Sequence, residues 1–347
     1  MLLDFSARRA GDRFIPARKA GGWDVSVVVS VVIPTYRRDQ LLARCLSAVA
    51  AQDLPPECYE IIVSDNAASP ETERLVQRWV RPEGPSVRYI PASDSPGPAA
   101  ARNQGWRAAR GTIIAFTDDD CIPASSWLRM GLSGFNDGIA GVWGQVIVPI
   151  PEGDPTDYEL DAANLERAEF VNANCFYQRD ILEAVGGFDE QFETAWREDS
   201  DLFFRLLESG SRLSRVSEAV VVHPPRQASW GISLVQQRKS MFNALLYKKH
   251  PGLYRERIQS NPPWRYYLSV GCLATGVAGL AFGVPVLIVA GLCLWTVVTL
   301  RFCAMRLART SHSASHVLEM LVTSALIPPL AVFWRLRGAL RFRVWFL

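Results

Sequence analysis

Apolar and polar positions divide the chain into two stretches built on different periods. Residues 27–34 (VVVSVVIP) form a nearly unbroken β-branched run, as a strand covered on both faces requires. Residues 40–51 then place Leu41, Leu42, Cys45, Leu46 and Val49 at helical spacing. Residues 59–64 predict a second strand ending at Asp65-Asn66, residues 70–80 a helix, and residues 87–91 a third strand. Residues 98–109 predict a helix with proline in its first turn and Gly111 beyond its end, and residues 112–117 a fourth strand that runs into Asp118-Asp119-Asp120. This alternation implies an α/β domain with a mostly parallel central sheet and helices on both faces. Ligands in such sheets sit at the carboxyl ends of the strands, where residues 35–38, Asp65 and the three aspartates fall.

The pattern changes after Pro225. Residues 230–249 predict an amphipathic helix with Ile232, Val235, Met241, Phe242, Leu245 and Leu246 on one face and lysine and arginine at its flanks, suited either to a lipid surface or to ordinary packing. Between Arg265 and Arg301 lie 35 residues without a charge. A straight helix of that length would run roughly 52 Å, beyond a hydrocarbon core of about 30 Å. Gly283-Val284-Pro285 sits at the middle, so a transmembrane hairpin over residues 266–300 is expected. Cationic residues flank it on both sides, which places both ends on the cytoplasmic face. A third apolar stretch, residues 317–334, contains Glu319 and Pro328-Pro329 and precedes Arg335, Arg337, Arg341 and Arg343; those charges predict a re-entrant or interfacial segment within residues 301–347.

Charge sharpens the division. The whole chain carries +2, which argues against a nucleic-acid partner. Residues 25–225 hold 17 basic and 30 acidic side chains, whereas residues 226–347 hold 15 basic and 2 acidic. A catalytic domain over 25–225, a linker over 226–265 and the membrane segments follow, with residues 1–24 as an N-terminal tail that lacks the apolar core of a secretory signal. The seven cysteines are scattered without a CxxC pair, as suits a reducing compartment.

Neither GxGxxG nor GxxxxGK[ST] occurs among the strand ends, so phosphate must be handled by other means. Three consecutive carboxylates suit Mg2+ or Mn2+ bridging a diphosphate, or else form a solvated loop. The segments VVIPTYRR, EIIVSDNAAS, SDSPGPAAARNQGWRAARGTIIAFTDDDCIP, VNANCFYQRDILEAVGGFDEQF and WREDSDLFFRLLESG, in this order, resemble a family-2 glycosyltransferase of the GT-A fold, of the membrane-anchored bacterial type. The resemblance covers about residues 27–225 and implies an inverting enzyme with a nucleotide-sugar donor, usually a UDP-sugar.

Carried over residue by residue, the resemblance places Thr35 and Arg37 along the nucleoside and makes Asp65 an acceptor for the base. Arg102 would sit near the phosphates. Asp118 and Asp120 match the DxD motif, with Asp120 the metal ligand, Asp118 shared between metal and donor, and Asp119 on the donor side. His223 matches a third metal contact in several relatives, although a histidine at a strand end can be purely structural. Glu198 and Asp199 match an acidic pair at a helix start, with Asp199 as the base that deprotonates the acceptor hydroxyl. Taken alone, the same pair is a helix cap. Asn172 and Asn174 face sugar or acceptor, or satisfy backbone; Trp196 stacks on a sugar, or belongs to the core.

One departure from the processive synthases of the superfamily is the segment VQQRKSMFN, which lacks the tryptophan of their QxxRW motif. The resemblance therefore implies transfer of one or a few sugars at the cytoplasmic (inner) membrane, in cell-envelope polysaccharide biosynthesis. The acceptor would be a lipid-linked saccharide or glycolipid, among membrane lipids. A polyprenyl-phosphate sugar synthase is the near alternative. A metal-dependent nucleotidyltransferase is the remoter one, since no glycine follows Thr35.

Overall fold

The computed structural model describes residues 27–346 together with a pair of antiparallel two-residue strands, β1 (Arg18–Lys19) and β2 (Gly22–Trp23). The rest of the expected N-terminal tail lies outside the described residues. The chain divides into one unit of residues 1–149 and 165–224 and a second of residues 150–164 and 225–347. The second unit is thus discontinuous, and a domain boundary drawn at Pro225 alone misses the segment 150–164.

In the first unit, β3 (Val29–Thr35), β4 (Tyr59–Asp65), β5 (Ser86–Pro91) and β6 (Ile113–Phe116) form a parallel set with β3 between β4 and β6. Every residue of β3, β4 and β6 is buried, as the β-branched runs require. The helices α1 (Asp39–Ala50), α2 (Pro70–Gln77) and α3 (Pro98–Ala108) connect them within a few residues of the predicted bounds. After the short β7 (Ile122–Pro123) and α4 (Trp127–Ser133), the sheet continues with β8 (Ile139–Ile147), β9 (Cys175–Gln178) and β10 (Arg212–Val222). The spatial order is β5-β4-β3-β6-β9-β8-β10-β7, and β9 runs antiparallel to both of its neighbours. The sheet is therefore mixed, parallel at one side and interleaved at the other.

A register shift between Arg215 and Val220 bends β10 away from β8. Asn174 occupies the gap: its Nδ2 donates to the carbonyls of Gln145 (2.9 Å) and Ala219 (2.7 Å), while its Oδ1 accepts from Trp127 Nε1 (2.8 Å). Gly144 makes room for this plug, since a Cβ there would lie 2.0 Å from the Ala219 carbonyl oxygen.

The second unit begins with α5 (Asp157–Ala162), inside the returning segment and closed by a capping box between Thr156 and Glu159. After α6 (Arg179–Val185) and α7 (Glu198–Glu208) of the first unit, it resumes with α8 (Ile232–Gln236), α9 (Phe242–Lys249) and α10 (Pro251–Arg257). The expected single amphipathic helix is instead α8, a 3-10 turn and α9, with Met241, Phe242, Leu245 and Leu246 buried inside the unit. The α9 part of that apolar face is consumed by packing, with Phe242 against the Phe342 ring (centroids 6.0 Å apart), while Val235 of α8 stays 70% exposed.

Helices α11 (Trp264–Phe282) and α12 (Pro285–Leu307) are two packed helices with the break between them at Gly283, where a hairpin turn is expected. They approach closely at Gly291, where a Cβ would meet Gly276 N at 2.5 Å. The last apolar stretch, expected to be re-entrant or interfacial, is unbroken in backbone. It is one helix, α13 (Ala314–Phe342), of 29 residues, continuous through Pro328 and Pro329. The helices long and apolar enough to cross a bilayer are α12 and α13, with mean hydropathies of 2.2 and 1.8, among the described residues.

Two charges within these helices find partners inside the unit. Arg306, among the cations that follow the hairpin, has a side chain only 8% exposed and pairs with Asp157 of α5 at 2.7 Å. It also donates to Thr323 and Ser324 of α13. Glu319 accepts from Gly231 N at 2.7 Å.

The plug at Asn174 sets an expected outcome. Gly144→Ala forces its Cβ against a backbone carbonyl and lowers unfolding stability by ~1–3 kcal/mol, the usual cost of overpacking. A chemical denaturation midpoint equal to that of the wild type would show that the bend does not depend on Gly144.

Candidate active site

The carboxyl ends of β3 and β6 bring the site together. β6 runs into a turn in which Cys121 N donates to the Asp118 carbonyl (3.1 Å), and this turn spreads the three aspartates in different directions. Asp118 accepts from Arg102 Nη2 at 2.7 Å. Asp119 turns back to β3, accepting from Thr35 Oγ1 (2.8 Å) and Arg38 Nη1 (3.1 Å). Asp120 faces His223, whose Nε2 lies 3.5 Å from its Oδ1.

Arg102 projects from α3, which begins at Pro98 and carries a buried face of alanines. Its guanidinium is buried and holds two carboxylates at once, Asp118 at 2.7 Å and Glu198 at 3.0 Å. Phe188 lies under it, with Cζ 5.7 Å from the ring centroid. Asn172 Nδ2 also reaches Glu198 Oε1, at 3.5 Å. Arg102 Nε, Asn172 Oδ1 and Glu198 Oε2 are buried without a hydrogen-bond partner among the described residues. Three such atoms in one cluster mark a place prepared for something polar.

Glu198 and Asp199 open α7 behind Arg197, which adopts a left-handed conformation (φ 76°). Burial pushes the Glu198 carboxyl up to about 7, assisted by the neighbouring Asp199 charge and opposed by Arg102. Burial also raises Asp199, against the Ser200 N–H that its Oδ1 accepts at 2.7 Å. Trp196 is 38% exposed and carries the Arg197 guanidinium over its ring at 4.7 Å, so it is not a core residue.

Other candidates stand elsewhere. Asp65 is wholly buried and its carboxylate is taken by Ala67 N, Ser69 N (2.7 Å) and Tyr89 Oη (3.0 Å), so it serves the turn after β4. Asn174 has all its polar atoms engaged in the sheet plug. Arg37 is exposed on a left-handed backbone (φ 53°) with its guanidinium over Tyr36, and it is Arg38 that turns inward. Arg38 and Cys121 carry no motif of their own; each neighbours a motif residue, and the turn geometry that selects between neighbours leaves no mark in the sequence.

Without Cys121, the donor set suits a divalent ion such as Mg2+ or Mn2+. Asp120 and His223 offer oxygen and nitrogen side by side, and Asp118, Asp119, Asp120, Glu198 and Asp199 outnumber the cations around them. Cys121 Sγ lies with the Asp120 and His223 donor atoms, all within 4.8 Å of one another.

Comparison with known proteins supplies the context for this geometry. Residues 30–188 match Glycosyl transferase family 2 and residues 155–336 match Glycosyl transferase family group 2, the latter over half the chain. The chain belongs to the family-2 glycosyltransferases. The glycosyltransferase AglE of Haloferax volcanii is 28% identical over 57% of this chain and 67% of its own. The GalNAc(5)-diNAcBac-PP-undecaprenol beta-1,3-glucosyltransferase of Campylobacter jejuni is 30% identical over 43% of this chain and 47% of its own. A Mycobacterium tuberculosis pre-mycofactocin glycosyltransferase is 30% identical over 57% of this chain, which spans 43% of that protein. Among solved structures, the mannosyltransferase PcManGT of Pyrobaculum calidifontis, in complex with GDP-Man and Mn2+, superposes with a TM-score of 0.53 at 19% identity, covering 96% of this chain and 92% of its own. That likeness shows the fold, a GT-A mixed sheet followed by apolar helices, as the motifs implied.

The enzyme's acidic pair gives a pH prediction. A carboxyl raised on folding binds more protons in the folded than in the unfolded state, so its burial costs stability as pH rises from the unfolded carboxylate range through about 7. In chelator, Glu198→Gln should therefore gain thermal stability relative to the wild type as pH rises from about 5 to 8. A stability difference that stays flat over that range would show that Glu198 is not raised.

Proposed function

We propose that the enzyme transfers a sugar with inversion from a nucleotide-sugar donor, of the UDP-sugar class, to a lipid-linked or glycolipid acceptor. The observation that carries this reading is the buried Arg102, which fastens Asp118 at the end of β6 to Glu198 at the start of α7. It joins a strand end rich in carboxylates to a helix start that carries two more, which supports reading the first as the cation site and the second as the source of the base that a single displacement needs.

Each residue then has a task. Asp120 and His223 would hold the divalent cation, Mg2+ or Mn2+, with Asp118 on the donor side. When bound, the cation offsets charge on the departing nucleotide diphosphate. Thr35 and Arg38 fix Asp119 and so hold the turn that presents its neighbours. Asp199 uses Oδ1 for Ser200, which leaves Oδ2 to take the proton of the acceptor hydroxyl. Its raised pKa makes it a better base than a solvated aspartate, and the α7 N-terminus favours its ionised form. Trp196 offers an exposed ring for a sugar face.

The acceptor class is supported by the Campylobacter relative, whose name specifies an undecaprenyl-diphosphate saccharide. It is supported as well by α12 and α13, helices suited to anchoring the enzyme in the cytoplasmic membrane. The excess of arginine and lysine in the second unit favours placing the chemistry on the cytoplasmic side.

Purified full-length protein, incubated with a panel of radiolabelled nucleotide sugars and polyprenyl-linked acceptors, should yield a lipid-extractable labelled product that requires Mg2+ or Mn2+. Asp120→Ala should abolish the cation-dependent turnover, and full activity of that variant in chelator would overturn the cation site. Asp199→Asn should lose ~10²–10⁴-fold in transfer while keeping the donor's nucleotide affinity. Wild-type transfer by Asp199→Asn would remove it as the base.

A further inference from the structure

We propose that Cys121 supplies a sulfur donor to the cation site at Asp120 and His223, and that this donor admits thiophilic ions such as Zn2+ and Cd2+ in competition with Mg2+ or Mn2+. The proposal rests on the reading of Asp120 and His223 as cation ligands. Its own basis is the sheet register. β10 pairs antiparallel with β7 through Val221–Pro123 and Val222–Ile122. Continued one step past the ends of the two strands, the same register would set His223 opposite Cys121. Directly opposed residues of an antiparallel pair project to one side of the sheet, within about 4.5–5.5 Å at Cβ. The turn from Asp118 to Cys121 then folds Asp120 onto that side, and the three donor atoms lie within 4.8 Å of one another.

Cys121 is fully buried, so its sulfur is not available for surface chemistry and has this cluster as its polar surroundings. The other thiol nearby, Cys45, is engaged elsewhere: its Sγ donates to the Asp118 carbonyl at 3.4 Å. An oxygen–nitrogen–sulfur triad differs in kind from the all-oxygen or oxygen–nitrogen environment that Mg2+ and Mn2+ prefer. Sulfur and imidazole together suit Zn2+, Cd2+ and Co2+, with metal–sulfur distances of ~2.3 Å for zinc against ~2.0–2.2 Å for nitrogen and oxygen. Binding exchanges one proton for the ion: the S–H bond breaks, a metal–sulfur bond forms, and the proton leaves to buffer.

Titration of the purified full-length enzyme with Co2+, followed by absorption, tests the sulfur directly. The wild type should show d–d bands together with a thiolate-to-cobalt charge-transfer band. Cys121→Ser and Cys121→Ala, checked for folding by circular dichroism, should lose the charge-transfer band and keep the d–d bands, whereas Cys45→Ser should keep both. Cys121→Ser should also weaken Zn2+ binding ~10-fold or more and Mn2+ binding by less than ~2-fold. Cobalt d–d bands that vanish in His223→Ala but never include a charge-transfer band would overturn the sulfur donor and leave the Asp120–His223 site standing. A charge-transfer band that survives in both Cys121 variants would overturn it too. No cobalt absorption that depends on Asp120 and His223 would overturn both the proposal and the reading beneath it.

Discussion

The candidate active site depends on one buried guanidinium. Arg102 is almost fully removed from water, and a buried charge is tolerated only with close counter-charges. Its two carboxylate partners arrive from far apart in the chain, one 16 residues and the other 96 residues downstream. Breaking either contact would leave a charge stranded in a poorly polarisable surrounding, a penalty of several kcal/mol by general experience, ~3–5 for removal of one partner. The β6 turn and the start of α7 are therefore held in one arrangement before any ligand arrives. Such preorganisation is what electrostatic catalysis draws on, because oriented charges need not be rearranged during reaction.

The two halves of the sheet differed in how far they could be seen in the residues. β3, β4 and β6 are buried along their whole length, so their β-branched runs announced them. β10 is exposed or half-buried along most of its length, with only Ala219 and Val221 buried and two register shifts, and β9 has only four residues, so neither carries a long periodic signature. The site shows the same limit at finer grain. Asp118, Asp119 and Asp120 were visible as a strand end, yet their three separate tasks follow from a turn whose shape is set by its partners. Asp65 and Asn174 looked chemical because aspartate and asparagine are polar. The fold spends both on backbone groups that would otherwise be buried unpaired. Arg37 and Arg38 differ only by which one the left-handed backbone turns outward.

The charge of the chain does not divide at Pro225. Residues 150–164, with five acids and no base, belong to the second unit, so its net charge is +8 where a division at Pro225 suggests +13. The difference is structural, since Asp157 of this segment neutralises Arg306. An arginine in an apolar helix is then a folding determinant, and counting it as a headgroup contact overstates the cationic rim.

The capping box and the Arg306 pair have a further consequence in time. The ribosome delivers α5 roughly 150 residues before the arginine that receives it, and the whole of the catalytic unit after β8 is made in between. The chain crosses from one unit to the other three times, near residues 149, 164 and 224. The second unit cannot close until α12 has emerged, so its assembly is a late event that waits on a short acidic segment made much earlier. A genetic exchange that joins a foreign anchor after residue 225 would bring in new helices and retain the old α5. The grafted protein would then carry a helix whose partner had been left behind.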